Sequence, residues 1–559
     1  MEKENHRSAA QMSDLPKLPV GISTLRLLRE SGFVYVDKTT YAHRLVRQPG
    51  RYFLSRPRRF GKSLFVDTLK EIFEGNRKLF EGLYIHQRWD WGRAFPVIKI
   101  DFAGGMLHSL ADLEQKIQGM LAQSAKTLGV ELELGDIQGR FGELIAGTHR
   151  RFGERVVVLV DEYDKPILDN IERPEVAAAL REGLKNLYSV LKERDANLQF
   201  VFMTGVTKFS KVSLFSGVNQ LNDITIDASY SSICGYTEAD LHECFGGHLA
   251  GANLKEVRRW YNGYNWTGPE TLYNPFDILL FIQKGFQFRN YWFETGSPGF
   301  LVKLFQARRY FLPSLEDLEV SEEILASFEV ERIHPVTLLF QSGYLTIKSS
   351  FSDLGQMLFR LGVPNTEVKL ALNNQLINAY TDLAAEKSGI QRLLRDQLLA
   401  ADLEGIVATI KRLFASIPWR NFTGNDLADS EGYYASVLYA FFSALDARVI
   451  PEDISNQGQV DLSVMLGAQL YLIEIKVERD AAELQTSGGA AAPHLGLNPQ
   501  AADSKSSNPR RPNRALEQIR ARDYSAKYRG EPGKSVHELG LIFCSKQRNI
   551  IQADWIKLP

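Results

Sequence analysis

The segment from Ser55 to Ser63 constrains the fold more than any other part of the chain. It reads Ser-Arg-Pro-Arg-Arg-Phe-Gly-Lys-Ser, follows an apolar-rich stretch at 51–54, and precedes a pattern that predicts a helix from Lys62 to about Gly75. Gly-Lys-Ser at a strand-to-helix junction is typical of a loop that surrounds phosphate groups with backbone N–H donors, a lysine ammonium and a Mg²⁺-binding hydroxyl. The helix directs its positive end at the same anion. A basic surface turn is the alternative that this segment alone leaves open. The residues expected to contact the phosphates are Arg56, Arg58, Arg59, Phe60, Gly61, Lys62 and Ser63.

A second apolar run favours the phosphate-binding interpretation. Residues 156–160 read Val-Val-Val-Leu-Val, which predicts a strand buried on both faces of a parallel sheet. The run ends in Asp161 and Glu162. A carboxylate at the end of a neighbouring strand can hold Mg²⁺, and the next one can orient an attacking water. We therefore expect Asp161 to bind the metal with Ser63 and Glu162 to act catalytically, although polar residues at a strand end are also common in ordinary loops.

Three motifs together resemble one known family. They are the loop just described, the upstream Tyr35-Val-Asp-Lys-Thr39 and the downstream Asp161-Glu-Tyr-Asp164. All three are similar to those of the AAA-ATPase-like family, whose members often carry a C-terminal PD-(D/E)XK nuclease domain. The resemblance extends from about Leu18 to about Trp555 and is weakest in the middle of the chain.

The resemblance implies roles for further residues near the loop. Arginine commonly replaces the first loop glycine in that family, and here the residue is Arg56. With Arg58 and Arg59 it could supply, within one chain, the positive charge that an arginine finger gives. Thr204 or Thr207, at the end of another predicted strand, is implied as a contact to the γ-phosphate or the water. A threonine that merely caps a strand end explains either one equally well.

Composition limits the class of protein. At 559 residues the chain should form two or three domains, and its net charge of −1 indicates no particular partner. Cys234, Cys244 and Cys544 are too few and too scattered for a disulfide framework or a zinc site. Residues 1–14 are polar, unlike a secretory signal, and no apolar run approaches the ~20 residues of a membrane span. We expect a cytoplasmic protein with no membrane partner, and an oligomer is compatible with an ATPase of this kind.

The chain is predicted to be an α/β protein with three parts. After a disordered N-terminus at 1–17, the parts are a P-loop NTPase domain with a parallel sheet at 18–234, a mostly helical or winged-helix-like connector at 235–387, and a PD-(D/E)XK nuclease-like αβββαβ domain at 388–559. A Ser-, Gly- and Ala-rich stretch at 481–512 is predicted to be a disordered insertion. Aromatic clusters in the connector, such as that at 260–266, could stack nucleic-acid bases but more often pack helical elements together.

The last 130 residues carry a second pattern of charged residues. A helix from about Glu431, three strands, a helix from Arg514 to about Arg529 and a final strand at 538–544 are predicted in that order. Glu474 and Lys476 stand two apart on the third strand and so share a face, and Asp461 lies on the strand before. Two carboxylates beside a lysine suit metal-dependent phosphodiester hydrolysis, with Mg²⁺ or Mn²⁺ held by oxygen ligands. The resemblance implies Asp461, Glu474, Lys476 and Gln518 as catalytic residues, and Asp461, Glu474 and Glu431 as metal ligands.

One position departs from the family pattern. The family usually has Gly-Arg-x-Asp, and this chain has Gln459 in place of the arginine. The basic segment from Lys505 to Lys534, with nine Lys or Arg and three acidic residues, could bind a phosphate backbone or simply be a solvated surface. We therefore expect an ATP-binding and ATP-hydrolysing protein coupled to a Mg²⁺-dependent nuclease that acts on DNA. The alternative is a nucleotide-controlled switch whose nuclease-like domain binds nucleic acid or protein without cleaving it.

Overall fold

The computed structural model describes residues 15–48, 50–208, 221–292, 318–326, 334–353, 355–417, 419–422, 427–445, 447–479 and 512–558, apart from 381–386. Residues 1–14 of the predicted N-terminal tail and 481–511 of the predicted insertion lie outside these ranges. The chain divides into two units by its internal contacts. The described residues up to Trp292 and from Leu318 to Lys369 belong to the first unit, and those from Leu370 onward belong to the second.

The first unit is built around a parallel sheet that brings its functional loops to one edge. Its strand order is β2-β3-β4-β1-β5, and every neighbouring pair is parallel. The carboxyl ends of β1, β3 and β4 are therefore adjacent, as the phosphate-loop hypothesis requires. The strands are β1 (Arg51–Ser55), β2 (Val97–Asp101), β3 (Val156–Asp161), β4 (Leu198–Gly205) and β5 (Asn222–Asp223).

Helices cover this sheet and extend the unit. Their ends follow ordinary capping chemistry: Ser109 accepts a hydrogen bond from Asp112 N, and Gly129 ends the same helix in the left-handed conformation. The helices are α1 (Leu25–Glu30), α2 (Thr39–Val46), α3 (Lys62–Phe73), α4 (Leu110–Leu128), α5 (Ile137–Phe152), α6 (Lys165–Leu168), α7 (Pro174–Glu193), α8 (Glu238–Phe245), α9 (Leu254–Tyr261), α10 (Pro275–Gln283), α11 (Glu322–Ala326) and α12 (Pro335–Ser342).

The predicted connector is not a separate body among the described residues. Most of it belongs to the first unit, and it contains an antiparallel sheet as well as helices. The order of that sheet is β6-β8-β7, with strands β6 (Leu318–Ser321), β7 (Thr346–Asp353) and β8 (Gln356–Gly362). Helix α13 (Thr366–Tyr380) contains the point where the second unit begins. The boundaries predicted at residues 234 and 387 thus differ from the division seen in the structure.

The second unit contains a five-stranded mixed sheet in the order β13-β12-β11-β10-β9. Only β11 and β12 pair in parallel, and a crossover that includes helix α17 joins them. The predicted αβββαβ order is present, and a further strand, β13, follows it. The elements are α14 (Lys387–Ala400), α15 (Leu403–Ala415), α16 (Glu431–Ser443), β9 (Arg448–Ser455), β10 (Gly458–Leu466), β11 (Gln469–Glu478), α17 (Arg514–Ala521), β12 (Ser535–Cys544) and β13 (Asn549–Lys557).

Apolar side chains on both sides of the second sheet form its core. Tyr434 of α16 stacks on Phe543 of β12 with ring centroids 4.1 Å apart. Ile519 of α17 packs with Leu470 and Leu472 of β11 in a buried cluster. Within the described part of the chain, no helix combines the length and the apolar character needed to cross a bilayer.

Candidate functional site

The phosphate-binding loop borders a cavity of about 550 Å³ in the first unit. One wall is formed by the loop and the start of α3, including Arg58, Arg59, Lys62 and Ser63. The other walls come from the N-terminal segment, from residues after β3, and from α10. They include Pro19, Ile22, Val34, Val36, Lys38, Glu162, Asp164, Tyr236, Phe276 and Leu279. The cavity is therefore charged at the loop and after β3, and it has apolar side chains such as Val34, Val36 and Leu279 on the remaining walls.

Gly61, Lys62 and Ser63, at the end of the loop, line this cavity. Gly61 is the N-cap of α3 with a φ of 91°, a conformation that a side chain would strain. Lys62 is nearly buried, and its Nζ donates to the carbonyls of Arg56 and Pro57 at 3.0 and 2.9 Å. Burial lowers the pKa of Lys62, and the charge of Asp161 acts in the opposite direction. The ammonium thus lies at the centre of the loop, with carbonyl groups as its described hydrogen-bond partners.

Asp161 and Glu162 lie beside that lysine, at the carboxyl end of β3. Asp161 is 1% exposed, and its Oδ2 is buried without a hydrogen-bond partner among the described residues. Burial raises the pKa of Asp161, while the nearby hydroxyl of Ser63 acts to lower it. Glu162 lines the cavity in a left-handed conformation with a φ of 49°, and burial followed by the charge of Asp161 raises its pKa. An unpartnered carboxylate oxygen near a serine hydroxyl fits a Mg²⁺ ion, so Ser63 and Asp161 are the residues that would hold it.

The structure corrects the role predicted for Arg56. Its side chain is 0% exposed and does not line the cavity. The guanidinium donates to the carbonyls of Ser55, Thr225, Tyr230 and Ser231, at 2.8 to 3.3 Å. Burial lowers the pKa of Arg56 to about 10. Its Nη1 and Nη2 groups thus donate inside the protein, and the side chain does not face the cavity as an arginine finger would have to.

Of the next three residues expected to contact the phosphates, the two arginines are exposed and the phenylalanine is buried. Arg58 and Arg59 are exposed at the rim of the cavity, and the Arg59 guanidinium lies 4.7 Å from the ring centre of Phe276. Phe60 is fully buried, and its ring packs against Tyr264. The positions of the two arginines remain compatible with a phosphate contact, whereas the Phe60 side chain serves packing.

The two threonines predicted to contact the γ-phosphate have other partners. Thr204 Oγ1 donates to the Leu54 carbonyl at 2.8 Å, and Thr207 Oγ1 donates to Asp164 Oδ2 at 2.7 Å. Both are buried, and neither lines the cavity. The structure therefore supports the strand-end alternative for both residues, because each hydroxyl fixes the end of β4.

The sequence argument missed the role of Asp164 and Tyr163. Asp164 accepts hydrogen bonds from the backbone N–H groups of Val206 and Thr207, and the Tyr163 hydroxyl donates to the Thr207 carbonyl. These contacts attach the residues after β3 to those after β4. The sequence places Tyr163 and Asp164 just after a predicted strand. Only the fold shows that their partners, Val206 and Thr207, follow the neighbouring strand β4.

A second candidate site lies on β10 and β11 of the second unit, where Asp461 and Glu474 meet. Ile475 N donates to Asp461 Oδ2 at 2.7 Å, and Asp461 N donates to Glu474 Oε2 at 3.4 Å. Lys476 Nζ donates to Glu474 Oε1 at 2.9 Å. The regular pairing of β10 with β11 runs from Leu466↔Gln469 to Leu462↔Ile473 and ends just before the two carboxylates.

Burial gives this site its electrostatic character. Glu474 is only 2% exposed. Burial first, and then mutual charge repulsion, raises the pKa of Glu474, and burial likewise raises the pKa of Asp461. Burial acts to lower the pKa of Lys476, but its hydrogen bond to Glu474 and the neighbouring negative charges outweigh that effect and raise it. A divalent cation would offset the repulsion between the two carboxylates, so this pair fits a Mg²⁺ or Mn²⁺ ion.

Gln518 and Glu431 reach the site from two helices. Gln518 Nε2, on α17, donates to Glu474 Oε1 and also lies 3.4 Å from the Tyr524 hydroxyl. Glu431, at the start of α16, lies 3.5 Å from Lys476 Nζ. Among the described residues, no group of three or more His, Cys, Asp or Glu is arranged to hold a metal ion. Glu431 pairs with the lysine, and its charge also acts on Asp461, so its role as a third metal ligand stays a prediction.

Much of the basic segment near this site is neutralised locally. Arg514 pairs with Glu478, Lys527 with Asp453, Arg529 with Asp523 and Lys534 with Glu531. The cations before residue 512 lie outside the described residues. The described part therefore supports the solvated-surface interpretation more than a continuous phosphate-binding surface.

Comparisons with known proteins agree with this division of the chain. A family model described as "Predicted AAA-ATPase" matches residues 19–215, and one described as "PD-(D/E)XK nuclease superfamily" matches residues 429–553. The chain is also 46% identical over 536 residues to a protein of Azotobacter chroococcum mcd 1 named "Uncharacterized protein in vnfD 5'region". That similarity covers 96% of this chain and 98% of the relative.

The first match contains the loop with Lys62 and the strand that ends in Asp161, and the second contains Asp461, Glu474 and Lys476. Parallel-sheet geometry in the first unit and the mixed sheet in the second are consistent with these two matches. Proteins of the first family generally use a nucleotide, and those of the second generally use divalent metal ions. The chain therefore belongs to the AAA-ATPase-like proteins that carry a C-terminal domain of the PD-(D/E)XK nuclease superfamily.

Proposed function

We propose that the first unit binds and hydrolyses ATP with Mg²⁺, and that its nucleotide state controls a DNA-cleaving site in the second unit. The observation that carries the ATPase half is the grouping of Lys62, Ser63 and the unpartnered Oδ2 of Asp161 at one edge of the sheet. The cavity beside them has room for a nucleotide, and its apolar wall, which includes Val34, Val36 and Leu279, suits a nucleobase.

The residues of this site have separable roles in the proposal. Lys62 binds the terminal phosphates, Ser63 and Asp161 hold the metal, and Glu162 orients the attacking water. Arg58 and Arg59, exposed at the rim, are placed to contact the polyphosphate. Bound Mg²⁺ would neutralise charge on the phosphate oxygens.

The cleavage half rests on the pairing of Asp461 with Glu474 beside Lys476. The two carboxylates would hold a divalent ion, which activates a water and polarises the scissile phosphate when bound. Lys476 positions the nucleophile or offsets developing negative charge. Gln518 fixes the orientation of Glu474 through its amide hydrogen bond.

The ATPase assignment predicts a specific defect for Lys62→Ala. Removal of a charge-assisted hydrogen bond should weaken MgATP binding by about 10- to 100-fold and abolish hydrolysis. Calorimetric titration and phosphate release measure the two effects. Lys70→Ala is the matched control, because Lys70 lies on the same helix and pairs with Glu74 away from the cavity. Hydrolysis that survives in Lys62→Ala would contradict the assignment.

The nuclease assignment is tested by cleavage of labelled single- and double-stranded DNA and RNA, with Mg²⁺ or Mn²⁺, and with or without ATP. Glu474→Gln should reduce cleavage by about 100-fold or more, since the amide is a poor metal ligand. Glu478→Gln is the matched control, because Glu478 lies on the same strand but pairs with Arg514. Comparison of the four polymers decides between DNA and RNA. Comparison of the reactions with and without ATP decides whether the nucleotide controls cleavage.

Gln459 favours a second candidate function. It stands where the family usually has arginine, and it is exposed on β10 near Asp461. The missing charge could leave a domain that binds nucleic acid or protein without cutting it, under control of the nucleotide. Metal binding and ATP hydrolysis without cleavage of any polymer would support this switch, and cleavage that requires Glu474 would exclude it.

A further inference from the structure

The start of the phosphate-binding loop is attached to a residue far along the chain. The Arg56 guanidinium lies 4.2 Å from the ring centre of Trp266, which is 4% exposed. Among the described residues no acidic side chain forms an ion pair with Arg56, although the charge of Asp223 favours its charged form. The close contacts of the guanidinium are carbonyl groups and this aromatic face. Trp266 therefore contributes directly to holding Arg56 in place.

The end of the loop meets the same aromatic residues. The ring of Phe60 packs edge-on against Tyr264 and Trp266, with centroids 4.8 and 5.2 Å away. Tyr264 and Trp266 are themselves stacked in parallel, 6.2 Å apart. We call Tyr264 and Trp266 the aromatic clamp. It contacts the loop at residues 56 and 60, on either side of the two exposed arginines.

Lys62 connects this clamp to the site. Its ammonium donates to the carbonyl of Arg56, the residue whose side chain Trp266 covers. It also donates to the carbonyl of Pro57. A shift of the Arg56 backbone would therefore move the acceptors of the Lys62 ammonium and change the curvature of the loop.

We propose that Trp266 is a positioning residue of the ATP site, which acts through Arg56 and Phe60 to set the path of the phosphate-binding loop and the position of Lys62. The inference rests on the proposed ATP binding. The inference gives the aromatic cluster at 260–266 a role in the ATP site. Its Tyr264 and Trp266 are buried against the loop and so would not stack nucleic-acid bases. This role also accounts for arginine at the loop position that usually holds glycine, because a glycine would give Trp266 no side chain to hold.

The test uses the full chain and measures MgATP affinity by calorimetry or by displacement of a fluorescent ATP analogue, well below the unfolding temperature. Trp266→Leu should raise the Kd for MgATP by about tenfold, since it removes the cation–π contact and the edge packing of Phe60. Trp266→Phe retains an aromatic face and should restore affinity to within about threefold of the wild type. Trp91→Leu is the matched control, because Trp91 packs on Phe80 and does not line the cavity.

A double-mutant cycle separates positioning from general loss of stability. If Trp266 acts through Lys62, Trp266→Leu should have little further effect on ATP affinity in a Lys62→Ala background. Equal effects in both backgrounds would overturn the proposal, as would a Trp266→Leu protein with wild-type affinity. If Trp266→Leu does not fold, Trp266→Phe and Trp266→Tyr take its place in the same double-mutant cycle with Lys62→Ala. Wild-type protein that does not bind ATP would instead refute the proposed function, so the two failures are distinguishable.

Discussion

Asp277 and Glu367 place two carboxyl groups together in the interior of the first unit, and each residue is 0% exposed. Glu367 Oε1 accepts a hydrogen bond from Trp292 N at 2.9 Å. Burial, followed by the negative charge of Glu367, raises the pKa of Asp277 well above its ordinary value. Two adjacent buried carboxylates repel each other, so folding favours the form of this pair that binds a proton.

This pair predicts that Asp277→Asn changes the pH dependence of stability. The folded state retains a proton that the unfolded state releases above about pH 4, so the contribution of Asp277 is complete below that pH and is lost as the pH rises. The loss is about 1.4 kcal/mol per pH unit until the raised pKa is reached. The asparagine amide donates to Glu367 at any pH, so the variant should gain stability over the wild type between pH 5 and pH 8. Denaturant unfolding at several pH values measures the difference, and a constant difference would contradict proton binding by this pair.

Arg56 shows what sequence reasoning cannot reach at this scale. The motif could place the loop between a strand and a helix, as in the structure, because its residues are consecutive and its shape is local. The direction of the Arg56 side chain depends on Trp266, which is distant in sequence and adjacent only after folding. The partners of Thr204 and Thr207 were out of reach for the same reason, since one is Leu54 on β1 and the other is Asp164 after β3.

At the scale of elements, the residue that precedes helix α17 fixes the helix in place, and the helix itself carries Gln518 of the second site. Its N-cap, Asn513, accepts hydrogen bonds from Ala515 N and Leu516 N through Oδ1. The Nδ2 of the same side chain donates to the carbonyl of Gly540 on β12. One nearly buried amide therefore sets both the start of the helix and its attachment to the sheet, and thereby the position of Gln518.

Asn513→Ala should therefore weaken both the fold and the site. We expect the free energy of unfolding of the second unit to fall by about 1–3 kcal/mol, from loss of the cap and of the bond to Gly540. Cleavage should fall with it, because Gln518 would orient Glu474 less well. Asn253→Ala provides the comparison, since Asn253 caps α9 of the first unit and should leave cleavage unchanged. Full cleavage by folded Asn513→Ala would show that Gln518 does not depend on this cap.

Most elements could be predicted from periodicity, and their ends could not. The strand predicted at 156–160 ends one residue later, at Asp161, and the strand predicted at 538–544 begins three residues earlier, at Ser535. The helix predicted from Arg514 to Arg529 ends at Ala521, because Asp523 adopts a left-handed φ of 46° before a short 3₁₀ turn. Strand β13 was not predicted, since it completes a sheet that only the tertiary fold defines.

For the whole molecule, two units with separate sheets predict separate responses to ligands. A ligand at 100 times its Kd stabilises the folded state that binds it by about 2.7 kcal/mol. Saturating MgATP should therefore raise the unfolding temperature of the first unit by a few degrees, and excess Mn²⁺ alone should raise that of the second. Calorimetric scans follow both transitions.

Site variants assign each transition. Lys62→Ala should remove the shift caused by MgATP, and Glu474→Gln should reduce the shift caused by Mn²⁺. A MgATP shift that persists in Lys62→Ala would place nucleotide binding elsewhere. The boundaries predicted from the sequence set residues 235–387 apart from the first unit. In the structure most of the described residues in that range belong to the first unit, so their unfolding should respond to MgATP.

The hairpin of β10 and β11 has a consequence for the order in which the second site forms. Asp461 and Glu474 are only 13 residues apart, and a tight turn with Gly467 in the left-handed conformation joins their strands. Contacts between residues so near in sequence form early, because little chain entropy is lost in closing the loop. Gln518 comes 44 residues after Glu474 and arrives only when the crossover to β12 has packed. The two acidic groups can therefore meet while the rest of the second unit is still folding, and orientation of Glu474 by the glutamine is the later step.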